Sequence, residues 1–234
     1  LLLPKDLKAV SFDLDDTLWP VAGVIAHAEQ AGLAWFRQHA PDALEHLAPE
    51  RRAALRAEAL NGLDADDPRR QDMRYMRTAL YRTALVAAGY DAELAAVAFS
   101  VFDNARQEVE PYDDALAALE RIATRFRMIA VTNGSADVRR IGWDRFFEAS
   151  VSPSEAGAAK PNPGIYRHAC ALLHLEPSEI LHVGDDALLD VDAARAAGLH
   201  AVWINRLQKD WPSADAAPLT FTDLTSLAAW LCPN

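Results

Sequence analysis

Cysteine is nearly absent from the 234 residues. Only Cys170 and Cys232 occur, with no CxxC pair. Two distant thiols make neither a disulfide framework nor a structural zinc site, and they fit a reducing compartment. Positive charge is also scarce: 23 Lys and Arg stand against 34 Asp and Glu, a formal charge of −11. So acidic a chain repels nucleic acid and anionic lipid, so neither is expected as a partner. No apolar run approaches the roughly 18 residues a membrane helix needs. The opening Leu1-Leu2-Leu3-Pro4-Lys5 is too short an apolar run for a signal peptide, so a cytoplasmic protein is expected. No repeat or low-complexity linker is present, and the seven histidines show no ligand spacing. His182 reads as a core or strand-end residue.

What remains is 51% hydrophobic and long enough for a buried core. The run Lys8 to Asp13 is short, partly β-branched and ends in acids, as a central parallel strand does. From about Val21 to Val109, Ala, Leu, Arg and Glu dominate. Four helices are read there, over 21–40, 42–60, 68–88 and 91–109, with breaks at Pro41, Asn61-Gly62 and Gly89 and a cap at Asp91. After Pro111 the pattern alternates: a helix over 112–125, strands over 127–132 and 149–151, a helix over 163–175, a strand over 180–184, a helix over 188–197 and a strand over 201–204. The tail from Leu219 to Leu231 reads as a short strand and a closing helix. This predicts an α/β chain: a doubly wound parallel sheet over 1–19 and 110–234, with an all-helical insertion over 20–109.

Ligands of such sheets bind beyond the carboxyl ends of the strands. Those ends carry Asp13-Leu14-Asp15-Asp16-Thr17, Thr132-Asn133-Gly134 and Gly184-Asp185-Asp186, with Lys160 before the helix at 163 and Asp190 in the helix after 184. The set fits phosphoryl transfer. A carboxylate attacks phosphorus, and the acyl phosphate hydrolyses in a second step. Asp13 is the expected nucleophile, and Asp15, two residues on, the acid/base. A divalent cation offsets the repulsion between carboxylate and phosphate. Mg2+ suits a site built from the carboxylates of Asp13 and Asp185 and the backbone carbonyl of Asp15. Lys160 neutralises the attacking carboxylate and the transferring oxygens. Thr132 and the amides near Asn133 hydrogen-bond the phosphoryl group.

These stretches, Phe12-Asp-Leu-Asp-Asp-Thr-Leu18, Val131-Thr-Asn-Gly134, Lys160-Pro-Asn-Pro-Gly-Ile-Tyr166 and His182-Val-Gly-Asp-Asp186 with Asp190, resemble the haloacid dehalogenase superfamily, phosphatase branch. The resemblance implies a Rossmann-like core and a helical cap domain. It implies that Asp190 lies near Lys160 rather than on the metal, and that Asp186 is either a ligand or a neighbour of one. Phe12-Asp-Leu-Asp-Asp-Thr-Leu-Trp19, Glu179-Ile-Leu-His-Val-Gly-Asp-Asp186 and Thr225-Ser-Leu227 resemble bacterial phosphatases of riboflavin metabolism, which act on FMN or on the phosphoribitylamino-uracil intermediate. A small phosphorylated metabolite is thus the expected partner, and a monomer or homodimer the expected state. Nucleotides, sugar phosphates and phosphoglycolate are the other substrates considered.

The insertion is expected to select the substrate, because the core sees only phosphate. Arg70, Arg74, Arg77 and Tyr81 fall on one helix face, beside an apolar face of Met73, Met76 and Leu80. Either this is a solvated basic stripe, or Arg74 and Arg77 close over an anionic substrate. Trp19 follows the first acidic motif. It forms either a flap on which a flat substrate stacks or part of a buried seam.

Three rivals are considered. A haloacid dehalogenase of the same superfamily needs neither metal nor the second aspartate, and here both Asp15 and Asp185 are present. A signalling receiver domain is shorter and has no late Gly-Asp-Asp. An idle family member acting as a binding protein would be expected to lack a catalytic position, and all are filled.

Overall fold

The computed structural model describes residues 3–64, 67–212 and 216–233. The chain divides into two compact units, one of residues up to Pro20 together with those from Glu110 onward, the other of Val21–Val109. In chain order the elements are β1 (Ala9–Phe12), α1 (Val21–His39), α2 (Arg52–Ala59), α3 (Met73–Ala87), α4 (Leu94–Arg106), α5 (Ala115–Ala123), β2 (Arg127–Val131), β3 (Ser150–Val151), α6 (Pro153–Ala156), α7 (Gly164–Leu173), β4 (Ile180–Gly184), α8 (Ala193–Ala196), β5 (His200–Ile204), β6 (Leu219–Phe221) and α9 (Leu224–Leu231).

The first unit is built on one six-stranded parallel sheet in the order β3-β2-β1-β4-β5-β6, an α/β Rossmann-like fold. β1 is central and wholly buried, which is why its residues read as a continuous apolar run broken only by Ser11. The chain leaves β1 for β2 on one side and later returns to β4 on the other, so the strand order reverses beside the end of β1. That reversal opens a crevice at the carboxyl end, where Asp13 lies. On one face, Ile129, Val131, Ile165, Tyr166, Ala169 and Leu173 form a core with Ile180 and Ala194.

The second unit is helical. Along α1, Val24, Ala28, Gly32 and Phe36 recur every fourth residue and are the buried ones. Phe36 meets Tyr81 of α3 edge-on at 5.0 Å. Gly32 makes room for this ring, since a β-carbon there would lie 2.5 Å from the Tyr81 hydroxyl.

Several elements depart from expectation, each for a local reason. The helix read over 42–60 is two 3-10 turns, Pro41–Glu45 and Pro49–Arg51, followed by α2. Pro49 has no amide to donate and tolerates only a first turn. The helix read over 68–88 starts late because Asp72 caps it, accepting from the amides of Arg74 and Tyr75. Asp91 accepts from the amide of Glu93 ahead of α4. The helix read over 188–197 opens as a π turn, Ala187–Asp192, before α8. There the Asp186 carbonyl accepts from both Asp190 and Val191.

Candidate active site

Asp13 is the first residue past β1, and its amide still bonds the Val183 carbonyl of β4. The next six residues fold back as a tight turn. Asp16 is left-handed (φ 59°), its amide bonds the Trp19 carbonyl, and the Leu18 amide bonds the Leu14 carbonyl. Asp tolerates that backbone better than most residues with a side chain. The turn brings the Thr17 hydroxyl between two strand ends, 3.3 Å from Asp13 Oδ2 and 3.2 Å from Asp185 Oδ1. Arg206 holds the turn from outside. It donates to the Thr17 carbonyl and pairs with Asp114, whose carboxylate also accepts from the Leu224 amide.

Lys160 is 3% exposed, and its ammonium lies 2.5 Å from Asp13 Oδ1 and 2.6 Å from Asp190 Oδ1. Burial alone would lower its pKa, but the two carboxylates outweigh burial and hold it well above the ordinary value. Burial would likewise raise Asp190. The Lys160 charge, with a bond from His182, keeps it below the usual carboxylate range instead. For Asp13, burial dominates; with Asp190 and Asp185 nearby it outweighs Lys160 and pushes the carboxyl well up. Asp185 is pushed up to about 7, first by burial and then by Asp190 and Asp16.

Asp13, Asp185 and Asp190 each place an oxygen within 4.8 Å of the others, so they could together face one cation. Asp190 is already spent: one oxygen accepts from Lys160 and the other from the Asp186 amide at 2.9 Å. Asp13 accepts from Lys160 on Oδ1 and from the Thr17 hydroxyl at 3.3 Å on Oδ2, and Asp185 accepts from the same hydroxyl at 3.2 Å; burial first, with the neighbouring carboxylates, raises the pKa of both. One ammonium does not balance three clustered carboxylates. This donor set, all hard oxygens with uncompensated charge, fits a divalent cation such as magnesium.

Thr132 is the first residue past β2, the neighbour of β1, and is 1% exposed. Its hydroxyl oxygen accepts from the Gly134 amide at 2.9 Å, which fixes its orientation. Asn133 was expected to contribute backbone amides to the phosphoryl group; its side chain is engaged elsewhere. Its carboxamide donates to the Lys160 carbonyl at 2.9 Å and accepts from the Lys160 amide at 2.8 Å. It thereby clamps the backbone that carries the ammonium. Trp19 is corrected as a stacking platform. It is fully buried, lies edge-on to Trp143 at 5.4 Å, and its indole donates to Asp15 Oδ1 at 2.8 Å. Asp186, left open as a metal ligand, is exposed. Its side chain accepts from the amides of Leu188 and Leu189, so it caps the π turn.

The basic stripe of the helical unit is altered. Arg70 lies in a 3-10 turn ahead of α3, Tyr81 is buried, and Met73 is exposed rather than packed. Arg77 pairs with Glu29 and lies over the Phe102 ring at 4.3 Å. Arg74 keeps a 3.4 Å contact with Asp103 and is 44% exposed.

Sequence reasoning gave no site role to Thr17, Ser11 or Trp203, and read His182 only as a core or strand-end residue. The signals were there in part: two polar residues, Ser11 and His182, interrupt strands that are otherwise apolar. Trp203 of β5 donates to the Asp185 carbonyl at 2.7 Å, which no spacing reveals.

Among the described residues no helix is long and apolar enough to cross a membrane. Residues 7–198 match the family model described as haloacid dehalogenase-like hydrolase. The chain is 30% identical over 231 residues to 5-amino-6-(5-phospho-D-ribitylamino)uracil phosphatase YigB of Escherichia coli, covering 95% of each chain. It is 30% identical over 208 residues to glyceraldehyde 3-phosphate phosphatase of Methanopyrus kandleri, covering 86% of this chain and 84% of that one. Among solved structures, a 2-haloacid dehalogenase from Pseudomonas syringae pv. Tomato is 32% identical, covers 96% and 98% of the two chains and superposes with a TM-score of 0.87.

Proposed function

The chain belongs to the haloacid dehalogenase-like hydrolases, and on that premise we propose that this phosphatase cleaves a small phosphomonoester through a phospho-aspartate on Asp13, with magnesium. The observation that carries the reading is Lys160, buried between Asp13 and Asp190 at one rim of a carboxylate cluster. The carboxylates of Asp13 and Asp185 and the carbonyl of Asp15 would hold magnesium, which when bound would supply positive charge against the repulsion between carboxylate and phosphate.

The chain's own groups then divide the work. Asp13 attacks phosphorus; the new bond joins its oxygen to phosphorus, and the bond from phosphorus to the ester oxygen breaks. Asp15, its rotamer set by the Trp19 indole, gives a proton to the leaving oxygen. In the second half Asp15 takes a proton from water as that water attacks phosphorus, and the Asp13–phosphorus bond breaks. Lys160 and the Thr132 hydroxyl stabilise the charge that gathers on the phosphoryl oxygens. Asp13, Thr132 and Lys160 are buried, and the lower dielectric around them strengthens their interactions.

For the substrate we favour the phosphoribitylamino-uracil intermediate of riboflavin synthesis. The support is the resemblance to YigB along nearly the whole chain. FMN is the alternative. The helical unit would act as the cap that selects it, with Arg74 its more available cation. The likeness to a protein named a 2-haloacid dehalogenase raises that second chemistry. Against it stand Asp15 and Asp185, which attack on carbon does not require.

The test is phosphate release from a panel holding the phosphoribitylamino-uracil compound, FMN, nucleoside monophosphates, sugar phosphates and phosphoglycolate, with and without magnesium and with Asp13→Asn as control. Chloride release from a 2-haloacid without magnesium would reverse the choice.

A further inference from the structure

The buried strands β1 and β4 carry one polar side chain each, and the sheet register sets the two side by side: Ser11 pairs with His182. Both are fully buried. Two apolar residues would pack there without a desolvation cost, so buried polar groups at this register need partners. They have them. Ser11 Oγ lies 2.9 Å from His182 Nδ1, and His182 Nε2 lies 3.4 Å from Asp190 Oδ1, the longest link. That same oxygen accepts from Lys160, and the other from the Asp186 amide. Tyr166 closes the network. Its ring stands edge-on to the imidazole at 4.9 Å, and its hydroxyl donates to the Leu189 carbonyl at 2.7 Å, one residue before Asp190.

We propose that His182 is a positioning residue for the hydrolysis: a neutral imidazole whose Nε2–H fixes the Asp190 carboxylate, and through it Lys160, with Ser11 selecting the tautomer. This rests on the reading that Asp13 and Lys160 are the reacting pair. The tautomer follows from the partners. A carboxylate only accepts, so the nitrogen facing Asp190 carries the hydrogen. The other nitrogen of a neutral imidazole then accepts, and the Ser11 hydroxyl donates to it. Burial lowers the imidazole's pKa, which supports the neutral form.

The role matters once Asp13 is esterified to phosphorus. Asp13 then loses its charge, and Asp190 is the carboxylate that still anchors the ammonium. Three donors converge on Asp190, from Lys160, His182 and the Asp186 amide. Losing the one on His182 lets the carboxylate rotate and Lys160 follow it.

The test compares His182→Asn, His182→Gln and Ser11→Ala by magnesium-dependent hydrolysis of p-nitrophenyl phosphate. The Gln amide nitrogen reaches the place of Nε2, and that of Asn does not. Since a misplacement of roughly 1 Å costs on the order of 100-fold, His182→Asn is expected to lower kcat by about 10- to 100-fold with KM nearly unchanged. His182→Gln restores most of the loss, and Ser11→Ala loses less than His182→Asn. Equal losses in Asn and Gln, or none in either, would overturn the role. Should His182→Asn not fold, nitrogen-15 ring correlations of the unmodified protein decide: an Nε2–H tautomer is expected, and an Nδ1–H tautomer overturns the proposal. A wild-type protein without magnesium-dependent phosphatase activity sinks the reading of the site and this role with it. An active wild type beside an unimpaired His182→Asn sinks this role alone.

Discussion

Asp190 rests directly on the backbone of Gly184: a β-carbon at that glycine would lie 2.3 Å from the Asp190 carboxyl carbon. The last residue of β4 is therefore glycine for the sake of a side chain on the following turn. Gly184→Ala is expected to push Asp190 off Lys160 and lower kcat by about 100-fold, the scale of a roughly 1 Å displacement. Steady-state kinetics check this, and unaltered kcat would show that the carboxylate can shift without consequence.

Lys160 is the cation beside the two buried carboxylates of Asp13 and Asp190. Removing one member of such a set leaves uncompensated buried charge, at a cost of about 3–5 kcal/mol. Lys160→Met should lose activity, and the metal-free variant should unfold at clearly lower denaturant. Chemical denaturation of both proteins after chelation measures it.

Asp185 gives a pH dependence with a definite sign. Its carboxyl is raised to about 7 by burial, Asp190 and Asp16. In the metal-free protein this group adds stability that is fully present below its unfolded value near 3.8 and is lost as pH rises through about 7. A cation must displace that proton, so magnesium should raise Tm little at about pH 5.5 and much more at about pH 8. A magnesium-induced shift of the same size at both pH values would contradict the assignment of Asp185 as a ligand.

Trp19→Phe removes the indole donor to Asp15 and keeps a ring against Trp143. A hydrogen bond to a charged group contributes about 1.5–3 kcal/mol. Roughly a tenfold fall in kcat is expected, with larger effects for poor leaving groups, which depend most on protonation by Asp15. A series of aryl and alkyl phosphates tests this through the slope of rate on leaving-group pKa.

Two arginines of α3, Arg74 and Arg77, should separate. Arg77 pairs with Glu29 and covers the Phe102 ring, so Arg77→Ala is expected to lower Tm. Arg74 is the more exposed, so Arg74→Ala is expected to raise KM on the true substrate more than it lowers kcat. The reverse pattern would move the substrate contact elsewhere.

Much of this was legible in the sequence because it depends on short-range pattern. Apolar runs ending in acids located β1 and β4, and alternation after Pro111 placed the parallel sheet. The doubly wound rule then brought Asp13, Thr132 and Asp185 to one edge before any coordinates. What stayed hidden depends on contacts between distant positions. Ser11 meets His182 across 171 residues, and Asn133 clamps Lys160 across 27. Nothing local to Asn133 distinguishes a substrate contact from a backbone clamp. Trp19 is ambiguous for the same reason: whether an indole after an acidic motif faces solvent is decided by Trp143. The π turn at Ala187–Asp192 follows from the doubly accepting carbonyl of Asp186, a geometry that helical periodicity does not encode.

The central claim is that Asp13 carries the phosphoryl group. Rapid acid quenching of the magnesium enzyme during turnover, followed by mass spectrometry of the peptide around position 13, tests it most directly. A phosphoryl group on Asp13 that is absent from the Asp13→Asn variant is the expected result. Label on another residue, or phosphate release by Asp13→Asn at the wild-type rate, would contradict it.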